Sequence, residues 1–315
     1  MRKAISSVVI VVFLGALLAS PVCAKNGESG TSLLSFLKLG AGARAMGMGE
    51  AYTAQSAGAG EPFWNPAALS SVGGTEASFT HTQWLQDITA EHFSLAMATG
   101  KSAFGLGLSV GRVPDIEKRG DVPTVEPVAL FDAHDVEGYL SYARSLSKKL
   151  AAGVSAKWLY EKIDISSSNG WAFDVGSIYS PFAEAGQSAL RGLTVGAAIL
   201  NLGSKMRFEK EWYSLPTQYK AGVSWFEEKK AWQSDLTLGL DLVKPRDDNA
   251  KVHLGLEYDA YRTLALRLGY QFGYDEKDLS FGMGIKFKKY GIDYAYIPYK
   301  SDLGDVHCIS LEVAF

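Results

Sequence analysis

Between Thr75 and Phe315 the sequence alternates apolar with small or polar residues at a period of two, again and again. Phe104, Leu106, Leu108 and Val110 are separated by Gly105, Gly107 and Ser109; Leu236, Leu238, Leu240 and Leu242 by Thr237, Gly239 and Asp241; Leu264, Leu266, Leu268 and Tyr270 by Ala265, Arg267 and Gly269. Side chains that recur at every second residue share one face of a β-strand. Fourteen such runs are found, near 75–82, 90–99, 102–111, 135–145, 150–161, 169–180, 192–200, 217–226, 233–243, 251–260, 263–272, 278–287, 289–297 and 306–315. Each is about ten residues long, enough for a tilted strand to cross a bilayer, and an even count suits a single-chain bacterial outer-membrane barrel. The expectation is an all-β fold over 75–315, a fourteen-stranded antiparallel transmembrane β-barrel.

The connections support the same reading. On one side they fall near 83–89, 112–134, 162–168, 201–216, 244–250, 273–277 and 298–305. On the other they are short, except 181–191. Barrels of this class have long outer loops and short periplasmic turns, which would put both chain ends in the periplasm.

The positions opposite the apolar stripes include Lys157, Asp174, Lys220, Asp241, Glu257, Arg267, Lys286, Asp293 and Glu312. In a membrane barrel these face the lumen. In a secreted β-sandwich, the soluble alternative, they would face solvent. Aromatic residues near the run ends (Trp158, Tyr160, Trp171, Trp225, Tyr270, Tyr290, Tyr296) favour the membrane, where such residues form interfacial girdles. The nearly balanced luminal charges suit a salt-bridged filling better than a one-sign selectivity ring.

The chain opens with Arg2 and Lys3, an apolar stretch from Val8 to Leu18 and small residues up to Ala24. This reads as a secretory signal peptide over 1–24. Pro21 and Val22 before Cys23 make a poor lipidation motif. Removal would take both cations with it and move the formal net charge from −3 to −5, a sign that disfavours nucleic acid as a partner. One cysteine, Cys308, would remain, too few for an internal disulfide. At the other end, Ile309, Leu311, Val313 and Phe315 alternate to the last residue. A barrel must pair its last strand with its first, and a terminal aromatic on an apolar stripe resembles the signature that outer-membrane proteins present to the barrel assembly machinery.

Residues 25–70 do not alternate. They are rich in Gly and Ala and precede a barrel too wide to be filled by its own side chains, so they are expected to form a hatch, or plug. "LKLGAGARAMGMGEAYTA" followed by "FWNPAAL" resembles the N-terminal signature of the PorV/PorQ family, through Gly40, Gly42, Ala43, Arg44, Gly47 and Gly49 and then Asn65, Pro66 and Ala67. That family is similar to the FadL-type transporters, fourteen-stranded barrels with an N-terminal hatch. The resemblance implies two roles: binding or shuttling secreted cargo for type IX secretion, which is the leading expectation, or passive uptake of hydrophobic small molecules. "TAQSAGAGE", Thr53 to Glu61, departs from the acidic pattern of relatives. For the first role, Leu130, Phe131, Trp212 and Tyr213 in the two longest loops are expected to be exposed and to meet a partner.

Motifs that suggest catalysis fail on context. "GLSVG", Gly107–Gly111, matches a nucleophile elbow, but Ser109 lies within an alternating strand rather than at a strand-turn-helix elbow. "SLSK", Ser145–Lys148, lacks its partner motifs. "GAGARAMGMG" follows no strand, as a phosphate-binding loop would. His81 and His92 could meet across the first hairpin, yet no metal-ligand spacing is present among the five histidines. The expectation is a protein without catalytic residues, metal or cofactor, partnered by outer-membrane lipid. Pro66 sets its own φ and favours an extended Asn65, whose amide is expected to bond backbone inside the hatch rather than a ligand.

Overall fold

The computed structural model describes residues 32–55, 61–122, 124–186, 188–229 and 233–315. The expected signal peptide and the start of the expected hatch lie outside them. Strands β1 (Thr75–Gln83), β2 (Thr89–Thr99), β3 (Ser102–Lys118), β4 (Ala129–Ser145), β5 (Leu150–Ile163), β6 (Ser166–Tyr179) and β7 (Leu193–Gly203) follow in order. Next come two three-residue strands, β8 (Met206–Phe208) and β9 (Glu211–Tyr213). The chain continues with β10 (Gln218–Lys229), β11 (Ser234–Pro245), β12 (Lys251–Ala260), β13 (Leu264–Phe272), β14 (Leu279–Phe287), β15 (Tyr290–Pro298) and β16 (Asp305–Ala314). All but β8 and β9 form one closed barrel of fourteen antiparallel strands, with β7 beside β10 and β16 beside β1. Each run expected from the alternation is one barrel strand.

Closure answers why the chain alternates to its end. Glu76 faces Ala314 and Gln83 faces His307 across the β1–β16 seam, and the Phe315 amide donates to the Thr75 carbonyl at 2.8 Å. Ile309 and Leu311 point outward, and Phe315 is exposed. The outer face carries Phe93, Leu106, Leu140, Phe173 and Leu268, all exposed, while Ser94, Ser109, Lys157, Asp174, Asp241 and Arg267 are buried on the inner face. Exposed apolar outside and buried polar inside is the inverse of a soluble sandwich, and suits a barrel surrounded by lipid. An apolar hollow of about 630 Å³ between β2 and β6, lined by Met97, Phe104, Leu140, Val154 and Phe173, lies on this outer side.

Three expectations are corrected. The loop placed at 112–134 is mostly strand: β3 and β4 are 17 residues each and their hairpin stands above the wall. Pro114 and Asp115 hid it by breaking the alternation, where the ladder shifts register between Val113 and Ile116. Trp225 is fully buried rather than at a membrane interface; its strand is the one against which the turn Ala189–Gly192 packs. His81 and His92 do not meet. In the β1–β2 register His81 faces Glu91 and His92 faces Thr80, so the two rings point to opposite sides of the wall.

Candidate functional site

The expected hatch residues sit inside the barrel, and the wall is shaped to receive their backbone. Six inward glycines on six strands lie against it, Gly153, Gly196, Gly239, Gly255, Gly269 and Gly282, and a seventh, Gly176, lies against the Asn65 side chain. A Cβ on Gly153 would lie 2.4 Å from the Pro66 carbonyl, one on Gly196 2.2 Å from the Thr53 carbonyl oxygen, and one on Gly239 2.5 Å from that of Ala51. No side chain could occupy these positions without moving the segment or the wall.

Local sequence sets the segment's path. Gly42, at φ 89°, precedes the five-residue helix α1 (Ala43–Gly47). Gly49, at φ 63°, then turns the chain against the carbonyl of Leu254 and the amide of Tyr270. Gly47 packs on the backbone of Gly282, and Gly40 on Met46 and Trp64. Asn65 is extended, at φ −157°, and caps the 3₁₀ turn Pro66–Ser71, with Pro66 at its first position. Its side-chain oxygen accepts from the Ala67 amide at 3.0 Å, and its nitrogen donates to the carbonyls of Thr53 at 2.8 Å and Ser177 at 3.2 Å. Asn65 therefore joins two parts of the segment to β6. Pro66 and Ala67 are buried with it.

Charge fixes the segment as well. Arg44 donates through Nε and Nη2 to the two oxygens of Glu257, at 2.9 and 2.7 Å. Arg267 bonds the same carboxylate at 2.6 Å and Asp293 at 2.6 Å. Asp241 Oδ2 accepts from the amides of Tyr52 and Thr53 at 2.8 and 2.7 Å. Lys220 lies 4.5 Å from the centre of the Trp64 ring. Elsewhere on the inner wall Lys157 bridges Glu137 and Asp174, each at 2.8 Å. Lys286 reaches Asp259 at 3.4 Å, and Glu312 is half-buried. Eight of the nine expected luminal charges thus fall into a group that grips the segment directly or through Glu257 (Asp241, Glu257, Arg267, Asp293, Lys220) and a group that braces the wall (Lys157, Asp174, Lys286); Glu312 forms no ion pair among the described residues. Glu50, Glu137 and Lys277 belong to these networks but escaped sequence reasoning. Glu137 stands two places before Tyr139 on the inner face of β4, a parity that could have revealed it.

At the end of the barrel opposite Phe315, the segment closes an apolar recess. Leu33, Leu34 and Leu37 are buried against Leu159 and Ala172 of the wall and Met206 and Leu215 of the β7–β10 connection, with Phe36 and Phe208 beside them. Leu34 adopts φ 55°, a left-handed conformation costly for a branched side chain. Its amide donates to Glu161 at 3.3 Å, and the Leu33 amide to the Ser214 carbonyl at 3.2 Å. On either side Ser32 and Lys38 donate to one oxygen of Asp247, at 2.6 and 2.5 Å. Burial disfavours the charged Asp247 carboxylate, but these two hydrogen bonds and the Lys38 charge outweigh it and hold its pKa below the ordinary carboxylate range.

Of the residues expected to meet a partner, Leu130, Trp212 and Tyr213 are exposed. Phe131 is half-buried, because it pairs with Ile116 within the extended β3–β4 ladder rather than lying in a loop. Ser109 does find a histidine: its hydroxyl lies 2.8 Å from His92 Nδ1 and donates to Glu137 at 3.1 Å. The hydroxyl sits between base and carboxylate, whereas a nucleophilic triad needs the histidine in the middle; the group braces the inner wall.

No protein-family model matches the chain, and no curated protein matches it. Solved structures do. The CymD monoaromatic hydrocarbon channel superposes with a TM-score of 0.63 at 14% identity, over 88% of this chain and 98% of that one. The Pseudomonas putida toluene transporter TodX gives 0.56 at 10% identity, over 87% and 96%. Its deltaS2 mutant gives 0.54 at 11%, over 86% and 96%. The fold of this chain, a closed barrel of fourteen antiparallel strands, is the fold of these channels.

Proposed function

We propose that the protein is a passive path for small hydrophobic molecules across the outer membrane, with Phe315 and the short turns on the periplasmic side and with the described residues of 32–71 as its hatch. The observation that carries this reading is the apolar recess at the mouth, filled by Leu33, Leu34 and Leu37 of the chain itself. A polar-solute pore would have a hydrated, charged constriction there. Here a short strap with a left-handed leucine covers a greasy surface that an apolar solute fits. The shared fold with barrels described as a hydrocarbon channel and a toluene transporter supports the same reading, and a transport role leaves no task for a catalytic centre. Toluene and glucose entry into vesicles containing the pure protein test it. Toluene should enter faster than into empty vesicles and glucose should not, and Leu159→Asn with Leu215→Asn should slow toluene about fivefold, the scale of adding polar groups to an apolar pocket. Toluene entry unchanged by the protein would end the proposal.

A second reading rests on Leu130, Trp212 and Tyr213, which expose apolar surface on the outer connections. Such residues anchor protein contacts, as a PorV/PorQ-like role with type IX cargo would require. Trp212→Ser with Tyr213→Ser distinguishes the two: lost capture of secreted cargo with normal toluene entry favours this reading.

A further inference from the structure

The two ends of the barrel carry opposite charge. Among the described residues of the connections at the end bearing Phe315 there are seven cations, Lys101, Lys148, Lys149, Arg191, Arg262, Lys288 and Lys289, against one acid, Glu184. The connections at the other end hold seven cations against twelve acids. Pairing does not cancel the basic rim. Lys148 meets Glu184 at 3.0 Å and Arg262 meets Glu228 and Asp235. Lys101, Lys149, Arg191, Lys288 and Lys289 have no carboxylate partner among the described residues. Lys149 is half-buried and the other four are exposed.

This rim lies directly beyond a lipid-facing apolar girdle. Leu146, Tyr179, Phe226, Tyr261, Phe287 and Tyr290 are all exposed at the same end. Lys288 lies 5.3 Å from the centre of the Phe287 ring. Aromatic side chains settle at the boundary between acyl chains and headgroups, so cations one or two residues further along stand at the level of the lipid phosphates. Each cation near an anionic lipid surface is favoured by about 1 kcal/mol, and the acidic opposite end is repelled.

From this we propose that the basic rim binds anionic phospholipid headgroups, anchoring the barrel in the leaflet that meets its short turns and setting which way round it sits. The proposal needs the barrel to span a membrane but not to carry any solute. The test is the purified full chain in vesicles of phosphatidylcholine containing one fifth phosphatidylglycerol, followed by gentle detergent extraction and mass spectrometry of the lipids retained. The wild type should keep phosphatidylglycerol in excess of its share, less so at high salt. Lys101→Gln, Lys149→Gln, Lys288→Gln and Lys289→Gln together should reduce that excess about tenfold. Lys205→Gln with Lys210→Gln, at the other end, should leave it unchanged. A heat-dependent shift in gel mobility verifies that each variant is a closed barrel. The Lys288→Gln, Lys289→Gln pair alone, confined to one turn, keeps the test open if the fourfold variant does not fold. Retention matching the bulk composition overturns the proposal, as does an equal loss in both variants. Co-purification of an acidic protein through the rim, with no lipid excess, would also overturn it. Toluene entry is read separately and is expected to be unchanged.

Discussion

Asn65 shows how one amide can hold a segment in place. It is fully buried, and its three hydrogen bonds reach two stretches of the segment and one strand of the wall. Asn65→Ala would leave the Thr53 carbonyl and the Ala67 amide unpaired and should weaken seating of the segment by about 2 kcal/mol, measured by hydrogen exchange of the Thr53 and Ala67 amides. Asn65→Asp keeps the acceptor for Ala67 but loses both donated bonds, and should fall between. Beside Ser177, the wall residue that faces this amide is a glycine. A Cβ on Gly176 would stand 2.0 Å from the Asn65 oxygen, whereas one on Gly138, on the outer face, meets nothing within 4 Å. Gly176→Ala should therefore release the turn at a cost of about 1–3 kcal/mol, while Gly138→Ala should be silent in the same exchange measurement. The importance of Asn65-Pro66-Ala67 was legible from its sequence, because Asn before Pro has a defined local geometry. The glycines opposite were visible as alternating small residues, but one strand cannot reveal that its glycines face a backbone rather than merely fill a pleat.

At the scale of elements, the strap Ser32–Lys38 is held by a titrating group. Asp247 has a lower pKa in the folded protein than in an unfolded chain. Its contribution is thus complete above the ordinary carboxylate value, about 3.9, and is lost as pH falls through the depressed value. Acidification should speed proteolysis near Leu34 in the wild type. Asp247→Asn should be susceptible already at pH 7 and lose the part of the pH response that this residue supplies; an unaltered pH profile would show that the strap is held by other contacts. The strands themselves were readable because lipid outside and polar networks inside impose strict parity on every residue. Parity weakens where the wall leaves the membrane, and there the sequence reading failed. The upper parts of β3 and β4 and the β8–β9 hairpin, which pairs Met206 with Tyr213, lie in stretches expected to be loops. Their pairing is set by long-range packing, such as Met206 over Gly170, where a Cβ would lie 2.6 Å away, and no local period records it.

For the whole molecule, a barrel with its lumen occupied should conduct poorly. Removal of residues 32–71 should raise single-channel conductance in planar bilayers severalfold, provided that the variant keeps the heat-dependent mobility shift of a closed barrel. Equal conductance would show that the segment does not obstruct the lumen. The occupied lumen also has a consequence in time. The segment is near the start of the chain, yet the glycines it rests against run from Gly153 on β5 to Gly282 on β14, and Ser310 on β16 accepts the Ala43 amide at 2.8 Å. Its binding surface does not exist until the last strands have been made and aligned. Contacts so distant along the chain form late, which makes seating of the segment a final inspection: a barrel with one strand out of register presents a broken row of glycines and leaves the segment unhoused, open to the proteases that clear misassembled chains.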